Sequence, residues 1–163
     1  MQPFTYIRCY TELFFLDEAT ALAAGHRPCW ECQRQRNRHF REAWFEAHRN
    51  SHSDRPLRMS DMDNILHQER LTQGWLKKNR HKQTYPAVLE TLPSGAFVDI
   101  KGKPHLLWES QLLPWTPGGY DDPISHSLVD EVAVLTPPSI VRVLGQGYVP
   151  IFHVSLHQKT ERE

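Results

Sequence analysis

The chain has 163 residues, 39% of them hydrophobic and 23% charged, the profile of a globular protein long enough for one domain with a real core. No stretch approaches the roughly 18 apolar residues of a membrane helix, and the opening MQPFTYIRCY lacks the charged, apolar, small-residue order of a secretory signal, so no membrane association and a cytoplasmic address are expected. The formal net charge is zero, but it divides into +4 up to residue 82 and −4 beyond it, which gives the N-terminal half a claim on anionic partners.

Taken in chain order, LFFL at 13–16 reads as a short apolar strand that turns into a helix. Asp17 is placed to cap that helix, Glu18 suits its positive end, and Gly25 stands where a left-handed C-terminal cap is wanted. The helix delivers the chain directly into Cys29-Trp-Glu-Cys32. Next, RQRNRHFREAWFEAHR carries Phe40, Ala43, Trp44 and Ala47 at i, i+3, i+4 and i+7, the buried stripe of a second helix. Arg34, Arg38 and Arg41 share another face of it.

Residues 51–59 form a polar connection, and a third helix is expected from Ser60, as the cap of an S-x-x-D box with Asp63. Met62, Ile65 and Leu66 supply its apolar stripe. A basic loop follows, with Lys77, Lys78, Arg80 and Lys82. The pattern then changes to short β-type runs, AVLETL, AFVDI and HLLWE, separated by the turns PSG and KGKP. LPWTPGGYDDPISHS is too rich in Pro, Gly and Asp to be one regular element. EVAVL and YVPIFHVS read as two more strands, with a brief helix in TPPSIVRVLGQG between them, proline at its start and glycine at its end. The expected fold is α+β: helices and a zinc-binding knuckle at the N-terminus, then a mostly antiparallel β unit with one short helix. Its segments are 1–50, 51–82 and 83–163, packed as separate units or as one continuous domain.

Three cysteines are too few for a secreted disulfide framework, which leaves reduced thiols or metal ligands. A CxxC turn sets two thiolates on one side of a tetrahedral zinc, and Cys9, His26 and His39 are the candidates to complete it. Two alternatives stand beside zinc: two partly buried thiols, and a redox pair, which is disfavoured because this CxxC follows a helix and a glycine instead of opening a helix after a strand.

These residues carry a resemblance. LFFLDEATALAAGHRPCWEC, residues 13–32, resembles the second half of the Ada-type zinc-binding domain of DNA alkylation repair: an apolar strand with Phe, a short helix ending in Ala-Ala-Gly, then Arg-Pro-Cys, two residues and Cys. The resemblance implies that Cys29 and Cys32 are zinc ligands and that the region contacts DNA. It stops there. The Ada pattern has two cysteines before the strand, one of them the methyl acceptor, whereas here only Cys9 lies upstream and sits closer to the strand. The methyl-accepting role is therefore not carried over. A Pro-Cys-His-Arg methyltransferase motif and an obvious helix-turn-helix are also lacking, and residues 50–163 resemble no family.

The sequence thus points to a zinc-stabilised nucleic-acid-binding protein without methyltransferase activity. Phosphates would meet Arg34, Arg38 and Arg41, helped by Arg36 and by Lys77, Lys78, Arg80 and Lys82. A metal-dependent hydrolase or nuclease using Asp63, His67 and Glu69 is the first alternative, since Asp63 and His67 stand at i, i+4. The bland reading of those residues is an exposed, locally paired helix face. A protein-interaction module is the second alternative. His105, His126, His153 and His157 lack ligand spacing. Trp115 and Tyr120 either stack on a base or, more commonly, pack their own loop.

Overall fold

The computed structural model describes residues 13–49, 58–72, 80–124 and 131–160. Cys9, Lys77, Lys78 and His126 lie outside these. Among the described residues the chain forms α1 (Glu18–Ala23), α2 (Arg34–Ala47), α3 (Met59–Arg70), the strands β1 (Tyr85–Val88), β2 (Phe97–Ile100), β3 (Lys103–Trp108), β4 (Gln111–Thr116), β5 (Gly119–Tyr120) and β6 (Glu131–Val134), and then α4 (Pro138–Gly145) and α5 (Val154–Thr160). The architecture is α+β. The strands make one antiparallel sheet in the order β1-β6-β2-β3-β4-β5. No helix among the described residues is long and apolar enough to cross a membrane.

Period-two alternation explains the sheet. Phe97, Leu106, Leu113 and Tyr120 point to one face, where they pack with Ala19 and Ala23 of α1 and Leu156 of α5. Val98, Leu107, Leu112, Val132 and Val134 turn to the other face, against Leu89. The helices share a further cluster. Leu22 of α1, Phe40 and Trp44 of α2, and Met62 and Leu66 of α3 close on Ile140, Val143 and Leu144 of α4. The residues of 13–49, 58–72 and 131–160 thus contribute to common cores.

Three local expectations change. The run Leu13–Leu16 is irregular, with Phe14 88% exposed. YVPIFHVS does not end the sheet. Its first half runs past the start of α1, where Glu18 N–H donates to the Ile151 carbonyl at 3.1 Å and Ile151 N–H donates to the Glu18 carboxylate at 2.8 Å. Its second half opens α5, helped by His153 Nδ1, which accepts from Ser155 N–H at 3.3 Å. The long-range pair with Glu18 and the local bond at His153 together outweigh the β-type pattern. In α3 the start lies at Arg58, whose backbone N–H donates to Asp61 at 2.9 Å, so the box sits two residues earlier than Ser60 and Asp63 and leaves Asp63 for another partner. The hairpin Trp115↔Tyr120 occupies part of the Pro- and Gly-rich segment, with Tyr120 buried and Trp115 packed on the same cluster. Both aromatics pack their own loop.

Candidate metal and nucleic-acid site

The CxxC turn is held by groups on both sides of it in sequence. Asp17 caps α1, accepting from Thr20 N–H at 2.8 Å. At the other end Gly25, with φ +79°, closes a Schellman motif: Gly25 N–H donates to Leu22 O at 2.8 Å and His26 N–H to Ala21 O at 2.9 Å. A side chain at Gly25 would also meet Arg70, since an added Cβ would lie 2.8 Å from its Cδ. Beyond the turn, Gln33 N–H donates to Cys29 O at 2.9 Å and Asn37 N–H to Gln33 O at 2.8 Å. The fully buried Asn37 sends its side-chain N–H to Pro28 O at 2.7 Å. The CxxC turn therefore runs without a break into α2.

α3 holds the turn from the opposite side. Arg27 and Asp63 form a two-pronged pair, Nε to Oδ1 at 2.7 Å and Nη2 to Oδ2 at 2.8 Å. Arg70 Nη1 donates to His26 Nε2 at 2.8 Å. Since a guanidinium only donates, that ring nitrogen carries no proton. Burial lowers the His26 pKa, Arg70 lowers it further, and Asp63 opposes the shift. Lys82 caps the end of α1 from outside, its Nζ donating to Ala23 O at 2.7 Å. Burial of that ammonium, with Arg70 close by, lowers its pKa to about 8.

A polar cluster anchors the base of the site. Glu18, whose side chain is 7% exposed, accepts from Arg36 at 2.7 Å and from the Tyr148 hydroxyl. Asp17 accepts from the Tyr120 hydroxyl at 2.6 Å and from His153 N–H at 3.0 Å. Burial raises both tyrosine pKa values well above the ordinary phenol value, and the adjacent carboxylates add to it. These hydroxyls are donors at any physiological pH.

Two hollows border the turn. A cleft of about 420 Å³ is lined by His26, Arg27, Cys29, Trp30, Glu31 and Arg70, with Asp63 at its wall. A groove of about 590 Å³ runs along Phe14, Pro28 and Ile151, and both Cys29 and Cys32 open onto it. Both cysteines of the CxxC thus line one groove. Among the described residues, groups of three or more His, Cys, Asp and Glu suited to a metal ion are not assembled. His39 is exposed on α2, and the accepting nitrogen of His26 is taken by Arg70.

The basic residues divide. Arg34 and Arg38 are exposed on α2 and Arg80 is exposed beyond α3. Arg34 lies over the Trp30 ring at 5.2 Å and Arg41 over Phe45 at 5.9 Å. Arg36 points elsewhere, to Glu18, the Tyr148 ring at 4.8 Å and Val149 O at 2.8 Å. Lys82 is likewise engaged. Asp63, His67 and Glu69 are not brought together: Asp63 pairs with Arg27, His67 Nδ1 faces Arg70 at 3.4 Å, and Glu69 caps α4, accepting from Ser139 N–H at 3.1 Å and its hydroxyl at 2.7 Å.

Sequence reasoning missed the clamping roles of Arg27, Arg70, Glu18 and Asn37. Asn37 did carry a signal, a polar residue on the stripe shared with Phe40 and Trp44. The long-range pairs had none. Comparison with protein-family models, with curated proteins and with solved structures finds no match to this chain.

Proposed function

We propose that this protein is a zinc-stabilised nucleic-acid-binding protein without methyltransferase activity, acting in the cytoplasm on DNA or another nucleic acid. The observation that carries the reading is the hydrogen-bonded continuity from Cys29 through Gln33 to Asn37, which joins the two thiols to the helix that exposes Arg34 and Arg38. Zinc held by Cys29 and Cys32, with Cys9 as a further ligand, would supply folding energy to a turn made mostly of polar residues. The same metal would fix the first turn of α2 and so the arginines on it. Arg34, Arg38, Arg41 and Arg80 then meet phosphates, joined by Lys77 and Lys78, in keeping with the +4 charge of the first 82 residues.

Duplex affinity measured across salt concentration tests this. Binding should weaken steeply with salt, and Arg34→Ala with Arg38→Ala should reduce the log–log slope by about two. The purified protein should hold about one equivalent of zinc, lost on Cys29→Ser. Binding that is absent or indifferent to salt removes the nucleic-acid reading, and metal content unchanged by Cys29→Ser removes the zinc assignment.

A further inference from the structure

Trp30 and Glu31 are the two spacer residues of the CxxC, and both line the 420 Å³ cleft. Trp30 is 41% exposed, whereas Trp44 is fully buried. Arg34 stabilises the indole from 5.2 Å. The charges of the cleft balance: Arg27 is neutralised by its two-pronged pair with Asp63, Arg70 and Glu31 bring one charge of each sign to its lining, and His26 holds an unprotonated nitrogen toward Arg70. A phosphate gains little from such a site. An uncharged planar group with polar edges gains more, because it stacks on the ring and places its amines near the Glu31 carboxylate.

Resting on the nucleic-acid reading above, we infer that this cleft takes a single unpaired nucleobase, stacked on Trp30, while the phosphates of the same strand lie along Arg34 and Arg38. In an intact duplex the faces of each base are covered by its neighbours, so only an extrahelical or single-stranded base reaches the ring. The ligand class is therefore nucleic acid with an unstacked base, and a metal on Cys29 and Cys32 would hold the platform between them in place.

Three labelled probes test the inference by fluorescence anisotropy: a plain duplex, the same duplex with one extrahelical base, and the same duplex with an abasic residue at that position. The extrahelical base should tighten binding about tenfold over the plain duplex, and the abasic residue should not, given the usual worth of base–aromatic stacking. Trp30→Ala should erase that ratio and Trp30→Phe should keep most of it, each ratio being taken within one variant. Equal affinity of the wild-type protein for all three probes overturns the nucleobase site and leaves the nucleic-acid reading standing, as does a gain that survives Trp30→Ala or the abasic probe. Failure to bind any probe overturns both.

Discussion

The sheet and the N-terminal helices reach a fixed shape by different means. Between β2 and β5 the hairpins are closed by neighbours in sequence, and the faces are filled by Phe97, Leu106, Leu113 and their like. Stability there comes from apolar burial and ladder hydrogen bonds, both of which follow from local pattern. The segment from Asp17 to Asn37 has an apolar side as well, in Ala19, Leu22 and Ala23. Its polar side, however, is set by clamps, most of them from distant parts of the chain: Arg27 to Asp63, His26 to Arg70, Ala23 to Lys82 and Glu18 to Tyr148, with Arg36 meeting Glu18 from within the segment. A region organised by directional bonds responds to single charges and to pH. A region organised by burial responds to volume.

Removing volume from the sheet should have the largest effect. Leu106 is fully buried, and Leu106→Ala should cost about 3 kcal/mol in chemical denaturation, with one cooperative transition. If the two regions unfold separately, hydrogen exchange of the CxxC turn will stay unchanged in this variant, which would break the comparison into independent units. Gly25→Ala comes next, at about 2 kcal/mol, because a non-glycine residue is strained at φ +79° and its Cβ would displace Arg70. Its mark should be faster exchange around residues 24–33 with the sheet untouched. A uniform loss across both regions would contradict the local clamp.

The smallest expected effect is that of pH. Burial and Arg70 lower the His26 pKa, so the unfolded chain takes up the proton first. Stability should be full above the unfolded value of about 6.5, fall as pH drops below it, and level off beneath the folded value. Arg70 and Lys82 oppose protonation, and Asp63 favours it. His26→Gln keeps an acceptor for Arg70 and removes the titration, so the thermal midpoint of that variant should decline less between pH 7 and 5 than that of the wild type. Parallel profiles would assign the acid response to other groups.

Much of the fold was legible in local pattern. The Asp17 cap and Gly25 bracket α1, the Phe40 and Trp44 spacing marks α2, and the proline and glycine limits enclose α4. The runs AFVDI, HLLWE and EVAVL fall on β2, β3 and β6 because period-two alternation needs no knowledge of distant partners, whereas of AVLETL only Ala87 and Val88 lie in β1 and Leu89–Thr91 turn as a short 3-10 helix. The final helix was missed for the converse reason. The residues leading into it are held by Glu18, more than a hundred residues earlier, and its first turn is opened by the His153–Ser155 bond. Of the candidate site, the CxxC and the exposed Arg34 and Arg38 could be read from spacing. Whether Arg36 or Lys82 faces solvent could not, because spacing along the chain does not say which carboxylate or carbonyl another element will bring to it.

Composition, periodicity and capping chemistry, all properties of residues within a few positions of each other, by themselves determined the α+β class, most element positions and the prominence of the Cys29–Cys32 turn. Only the tertiary structure decided that Asp63 locks Arg27, that Glu69 caps α4 and that Trp30 faces a charge-balanced cleft. Those assignments depend on which distant groups come within hydrogen-bonding reach, and a directional bond of under 3 Å is set by the packing of whole elements.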